Sequence, residues 1–210
     1  MKIGVLASQG AFAEHIAILH RLEVDTTPVR LTRHLTSLDG LIIPGGESTS
    51  ISKLMLDCDL MDKIRNMAKN NLPIMGTCAG MILLAKKIPN FDTEPIGVMG
   101  ITARRNAFGR QKDSFETDIS IPVLGEKPFP GIFIRAPLIE RVNDGVEILA
   151  RLADDTIVAA RQGKLVAAAF HPELTDDLRF HRYFLDIVTG DRQVKHTSED
   201  TFAKSNHRRP

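Results

Sequence analysis

Cys78 sits in the run Gly76-Thr77-Cys78-Ala79-Gly80, with a glycine two residues to either side. The apolar stretch Leu72-Pro73-Ile74-Met75 precedes it and a helix-like stretch, Met81 to Lys86, follows. A reactive side chain framed in this way between strand and helix has the pattern of a nucleophile elbow. Neighbours without Cβ leave room for the sharp turn. The following helix aims its first N–H groups at the sulfur, an environment that favours thiolate. A lone cysteine in a chain of this type is ordinarily a small buried hydrophobe. That reading suits Cys58, between Asp57 and Asp59, but the glycine frame sets Cys78 apart.

Nucleophilic sulfur needs a base, and the base needs something to orient it. His171-Pro172-Glu173 supplies both at the end of the apolar run Leu165 to Phe170. Pro172 stiffens the segment and biases His171 toward an extended backbone. On extended chain, positions two apart project to the same side, which pairs imidazole and carboxylate. Taken alone, His-Pro-Glu reads more readily as a surface turn. Only the fold can bring it to Cys78, which lies 93 residues earlier (171 − 78).

Two further features could serve the same chemistry. Pro44-Gly45-Gly46-Glu47-Ser48 ends the apolar run Leu41-Ile42-Ile43, and its backbone N–H groups could stabilise an oxyanion. It lacks the lysine and spacing of a phosphate-binding loop. Arg104, Arg105 and Arg135 are planar clamps for a ligand carboxylate, or simply solvated side chains.

The elements that must hold these groups follow from hydrophobic patterning. Lys2 to Ala7 and Leu41 to Ile43 are short continuous apolar runs, as buried parallel strands show. Amphipathic stretches follow them. One carries Phe12, Ile16, Leu19 and Leu22, and another carries Ile51, Leu54 and Met55 with Ser48 or Thr49 as cap. A helix over Leu60 to Lys69 leads to the strand before Cys78. This alternation predicts an α/β fold with a parallel sheet.

The second half is strand-rich: Gly97 to Arg104, Phe115 to Ile121, Gly131 to Ile134, Val146 to Leu152, Ile157 to Arg161 and Leu165 to Phe170. These are expected to extend the sheet in antiparallel fashion. Asp177 to Val188 reads as a closing helix, and the polar stretch 190–210 as a disordered tail. The expectation is therefore one three-layer domain over 1–189, with a central mixed, mainly parallel sheet between helices.

Composition narrows the function classes. The 210 residues suffice for a single core, and 43% hydrophobic with 25% charged residues is ordinary for a globular protein. A formal net charge of +1 leaves no footprint for nucleic acid or a membrane surface. No apolar run approaches the ~20 residues of a membrane span, and the N-terminal run is too short for a secretory signal. A cytoplasmic location is expected, with Cys58 and Cys78 unpaired.

The motifs together are similar to those of class I (triad) glutamine amidotransferases, whose fold is flavodoxin-like. More narrowly, the chain resembles the glutaminase subunits of pyridoxal 5'-phosphate synthase complexes. That resemblance rests on Ile3-Gly4-Val5-Leu6 with Gln9-Gly10, Pro44 to Thr49, Gly76 to Gly80 and Arg105-Asn106-Ala107-Phe108-Gly109-Arg110-Gln111. It rests also on Asp113 to Glu116, Phe133-Ile134-Arg135-Ala136-Pro137 and His171 to Thr175. Ala7-Ser8 departs from the commoner Gly-Leu before Gln9, and Pro89 to Pro95 matches nothing of use.

The resemblance implies a nucleophile at Cys78, a proton carrier at His171 and an orienting carboxylate at Glu173. It implies a glutamine site at Gly46, Glu47, Ser48, Arg105, Ile134 and Arg135. An oxyanion hole would form from Gly45 or Gly46 with Ala79, and Gln9 would lie on the face meeting a partner. The partner implied is a (β/α)8-barrel synthase subunit that receives the ammonia, and no metal or cofactor is implied. Glutaminases serving imidazole glycerol phosphate or nucleotide synthases, a silent binding or scaffold protein, and a cysteine hydrolase acting on peptides or γ-glutamyl bonds are the alternatives.

Overall fold

The apolar runs of the first half become parallel strands because each is followed by an amphipathic helix that returns the chain over the sheet. The computed structural model describes residues 1–7, 10–105 and 114–190. In chain order, β1 (Lys2–Leu6), α1 (Phe12–Arg21), β2 (Asp25–Val29) and β3 (Gly40–Ile43) come first. They are followed by α2 (Ser48–Asp57), α3 (Leu60–Lys69), β4 (Ile74–Thr77) and α4 (Ala79–Leu84). Then come β5 (Ala85–Lys87), β6 (Met99–Arg104), β7 (Ser114–Ile119), β8 (Phe129–Ile134) and β9 (Leu138–Val142). Last are β10 (Glu147–Arg151), β11 (Ile157–Gln162), β12 (Leu165–Ala168) and α5 (Arg179–Thr189).

A single α/β domain results. Its mixed sheet runs β2-β1-β3-β4-β12-β11-β9-β6-β5, with β10 beside β11. From β2 through β12 neighbours are parallel, and from β12 through β6 they are antiparallel. The strand β12 is the hinge of this design. It returns from the far end of the sequence to pair with β4, Ala168 opposite Thr77.

Helices cover both faces of the sheet. A Cβ built on Gly40 of β3 would press on Val188 and Phe184 of α5, so α5 lies on that face. It is joined there by α1, whose His15 contacts His181 of α5. On the opposite face α4 comes so close to β3 that a Cβ on Gly80 would stand 1.9 Å from the Ile43 carbonyl oxygen. Only glycine permits that approach.

Several expectations are corrected. Phe115 to Ile121 and Gly131 to Ile134 do not extend the sheet; β7 and β8 form a separate two-stranded hairpin. Aromatic packing is what draws that hairpin in. Phe129 and Phe133 of β8 lie 5.6 and 5.9 Å from the Phe170 ring, and Phe180 of α5 lies 5.2 Å from it. All four rings are fully buried. Burying each contributes roughly 1.5–3 kcal/mol. The strand β12 stops at Ala168 rather than Phe170, because the chain then leaves the β4 ladder and His171 N–H donates to Ile132 of β8 at 2.8 Å.

The helix after Cys78 is shorter than its sequence suggests. It ends at Leu84, where Ala85 pairs with Met99 and sheet hydrogen bonding captures the chain. Leu54 is 38% exposed, so the core stripe of α2 is Ile51, Ser52 and Met55. Neither Ser48 nor Thr49 caps α2. Glu47 does, its longer carboxylate folding back onto the Thr49 and Ser50 N–H groups at 3.0 and 2.7 Å. The strands β2, β5 and β9 have no counterpart in the sequence reading. The expected tail, residues 191–210, lies outside the described residues.

Candidate active site

The site is assembled at the C-terminal ends of three adjacent parallel strands. The Gly45-Gly46-Glu47 turn follows β3, Cys78 follows β4, and His171 follows β12. Such strand ends, backed by helices on both faces, are where open α/β sheets bind ligands. The order β3-β4-β12 brings Cys78 and His171 together across their 93-residue separation.

Cys78 occupies the turn between β4 and α4 with φ 49° and ψ −105°. A non-glycine residue held there carries roughly 1–3 kcal/mol of strain. Three contacts around it sustain that conformation. Cys78 N–H donates to the Ala168 carbonyl of β12 at 2.8 Å, its carbonyl accepts from Ile82 N–H at 3.2 Å, and Gly76 and Gly80 close behind it. The side chain is almost buried, 7% exposed, and Sγ lies 4.0 Å from the Ile134 carbonyl of β8.

His171 and Glu173 pair as expected, but through a different backbone. Pro172–Leu174 forms one 3-10 turn, not extended chain, and this turn sets His171 Nδ1 2.6 Å from Glu173 Oε1. Proline at the first position of the turn, with its φ already suitable, is the local cause. The Cys78 side chain is near enough to the imidazole to favour its charged form. Burial works against charge on the ring. Interaction with Cys78 and the hydrogen bond donated to the Glu173 carboxylate outweigh it and raise the His171 pKa to about 10. Near neutrality the ring therefore carries its proton, in place to act as an acid.

Gly45 separates these groups. A Cβ there would lie 2.5 Å from His171 Cε1 and 3.3 Å from Cys78 Cβ. Glu47 faces the same mouth. Its slight burial works the other way, but hydrogen bonds from Thr49 and Ser50 hold its carboxyl down at about 2. Arg105, at the end of β6, reaches Glu47 Oε1 at 3.4 Å and lies 5.5 Å from the Phe91 ring centroid. Ser48 is buried at the start of α2 and Ala79 at the start of α4. Ile134 is 36% exposed at the end of β8, and Arg135 follows with φ 41°. All but one of the residues singled out from sequence thus belong to elements that end at this mouth. Gln9 lies outside the described residues, as does 106–113, most of the Arg-Asn-Ala-Phe-Gly-Arg-Gln stretch.

Sequence reasoning missed what lies behind Glu173. His15 of α1 and His181 of α5 are fully buried, with His15 Nδ1 2.9 Å from His181 Nε2. His15 Nε2 is 3.2 Å from Thr77 Oγ1 and 3.3 Å from Glu173 Oε2. The signal was present: each histidine stands on the apolar stripe of its helix, beside Ile18 and Leu19 or Phe180 and Phe184. Among the described residues no cluster of three or more His, Cys, Asp or Glu side chains could hold a metal ion. Nor is any helix there long and apolar enough to cross a membrane.

Known proteins resemble this chain along most of its length. Residues 5–189 match the model of the SNO glutamine amidotransferase family. A pyridoxal 5'-phosphate synthase subunit PdxT from Herpetosiphon aurantiacus is 58% identical over 190 residues, covering 89% of this chain and all of that protein. A PdxT from Carboxydothermus hydrogenoformans is 55% identical over 90% of this chain and 98% of its own. Among solved structures, one described as a glutamine amidotransferase superposes with a TM-score of 0.84 at 47% identity, over 89% of this chain and 98% of that one. A putative GMP synthase subunit from Thermoplasma acidophilum shares the fold at TM-score 0.67 and 21% identity, covering 90% and 94% of the two chains.

Proposed function

The chain belongs to the SNO glutamine amidotransferase family, and from that membership we propose that it is the glutaminase subunit of a pyridoxal 5'-phosphate synthase. It hydrolyses glutamine to glutamate and ammonia over a domain spanning 1–189. The observation that carries this reading is the grouping of three side chains, with Cys78 and His171 meeting at Gly45 and His171 Nδ1 2.6 Å from Glu173 Oε1.

The geometry suggests the following course. Cys78 Sγ attacks the side-chain amide carbon of glutamine, and the carbonyl oxygen becomes an oxyanion. N–H groups of Ala79 and of Gly45 or Gly46 receive that charge, which need not wait for solvent to reorganise. His171, already protonated, gives its proton to the departing nitrogen as the C–N bond breaks. Ammonia leaves and a γ-glutamyl thioester remains on Cys78. Water then attacks the thioester carbon, His171 accepts a proton from it, and the C–S bond breaks to release glutamate. Glu173 keeps the Nδ1 proton in place, so that Nε2 is the nitrogen that exchanges protons.

The glutamine α-carboxylate and α-amine are held at the mouth by backbone of Gly46, Glu47, Ser48 and Ile134 and by Arg105 and Arg135. Arg105 is already oriented by Glu47 and Phe91. No metal or cofactor takes part. The ammonia passes to a (β/α)8-barrel synthase subunit, which docks on the face containing Gln9 and combines it with a pentose phosphate and a triose phosphate. The setting is cytoplasmic.

The test is ammonia release from glutamine, with and without a pyridoxal 5'-phosphate synthase subunit. Release that rises when the synthase is added supports both activity and partner. Full release without it, or none with it, assigns the chain elsewhere.

A further inference from the structure

Glu173 presents an unusual electrostatic problem. Its side chain is wholly shielded from solvent, yet it must stay ionised to hold His171. A buried carboxylate is costly unless both oxygens are met by donors. Oε1 has His171 Nδ1 at 2.6 Å. Oε2 makes no well-aligned hydrogen bond, and the polar group beside it is His15 Nε2 at 3.3 Å.

The direction of the bonds behind it follows from counting protons. His15 Nδ1 and His181 Nε2 lie 2.9 Å apart, so one of them donates. His181 Nδ1 is buried without a hydrogen-bond partner. If His15 donated from Nδ1, a neutral His181 would bury its N–H at Nδ1 with nothing to accept it. A neutral His15 would also turn a bare lone pair toward the Glu173 carboxylate. If His181 donates from Nε2, only a lone pair is left unmatched, and His15 turns Nε2–H toward Glu173 Oε2 and Thr77 Oγ1. The second arrangement leaves no buried imidazole N–H unpaired and places no imidazole lone pair against the carboxylate.

We propose that His15 and His181 are positioning residues of the triad, a one-way hydrogen-bonded pair that sets His15 Nε2–H against Glu173 Oε2 and so holds that carboxylate on His171. The inference rests on the roles given above to His171 and Glu173. Burial is the largest cause of the lowered pKa of both histidines, taking His181 to about 3, so both remain neutral as this bonding requires. His15 also touches Thr77, the residue before the nucleophile, and therefore ties the Cys78 strand to the Glu173 turn across α1. The groups facing the pair are Glu173 from the 3-10 turn, Thr77 from β4, and His171 beyond them.

The test compares His15→Leu, His15→Gln and His181→Phe in the full chain. Glutamine supports the Nε position of histidine with its own amide, so His15→Gln keeps a donor toward Glu173 while His15→Leu removes it. The readings are kcat and KM for ammonia release, and the downfield proton resonance of His171 Nδ1–H. Removing the partner of a catalytic ligand in this way typically loses about 10- to 100-fold. His15→Leu should lower kcat by that order with KM unchanged, and should move the resonance. His15→Gln should recover most of both, and His181→Phe should lose less than His15→Leu. A His15→Leu protein with wild-type kcat and an unmoved resonance overturns the proposal. So does a folded His15→Gln protein no better than His15→Leu, since packing alone would then explain the loss. If His15→Leu does not fold, an unchanged kcat and resonance in His181→Phe overturns it instead. A wild-type chain that releases no ammonia even with the synthase subunit present would refute the proposed function, while the resonance would still decide the hydrogen-bonded pair.

Discussion

Acidification from pH 7 to pH 5 should destabilise this protein by at least about 1 kcal/mol, and two histidines remote from solvent are the cause. His15 and His181 are fully buried and their pKa values are lowered, chiefly by burial. In this interval the native state binds no proton at His181, and His15 is shifted in the same direction. The unfolded chain binds one at each as pH falls through the ordinary value of 6.5. Stability therefore falls with pH, by about 1.9 kcal/mol for His181 between these limits, and His15 adds a loss in the same direction. His171 acts in the opposite direction. Its native pKa of about 10 lies above 6.5, so its contribution is complete below 6.5 and is lost as pH rises through 10. From pH 7 to 5 that contribution grows by about 0.8 kcal/mol, which leaves a net loss of at least about 1 kcal/mol. Glu47 and Asp177, whose carboxyls are held low, lose their contributions only at still lower pH. For a chain of this size the loss corresponds to at least about 2–4 °C in Tm. Guanidinium unfolding followed by circular dichroism at pH 7, 6 and 5 would measure it. His181→Phe removes one titrating ring and should remove about 1.9 kcal/mol of the dependence. An unchanged pH dependence in that variant, or stability that rises on acidification, would refute the reasoning.

Cys78→Ala should abolish ammonia release while the thermal transition stays in place, because it removes the nucleophile and little volume; Glu173→Gln should lose less. Turnover retained by Cys78→Ala would rule out the thioester course. Gly45→Ala places a methyl 2.5 Å from His171 Cε1. Displacing the imidazole by even an ångström should cost about 100-fold in kcat with the fold intact, and wild-type kcat would show that the turn yields instead. Glu47→Ala removes the cap of α2 and the partner of Arg105. It should lower stability by about 0.5–2 kcal/mol and raise KM for glutamine, as melting and steady-state kinetics would report.

The chemistry was legible in the sequence where it depends on neighbours along the chain. The glycine frame of Cys78, the paired His171 and Glu173, and the glycines after Leu41-Ile42-Ile43 are local patterns. Local backbone sterics, a turn with no room for Cβ or a proline with fixed φ, are what each pattern records. The alternation of apolar runs and amphipathic stretches determined the parallel half of the sheet for the same reason. Tertiary structure decided whatever depends on which distant segment comes to lie alongside. It brought β12 next to β4 and so Cys78 to His171, and it drew β7 and β8 out of the sheet onto the Phe170 cluster. It turned Glu47 into a cap and buried His15 and His181 behind Glu173. A histidine on an apolar stripe has the same pattern in sequence whether its partner is water, a carboxylate or another histidine. Its chemistry is set by the groups that share its buried space, and those come from α1, α5, β4 and the turn after β12, elements spread from residue 12 to residue 189.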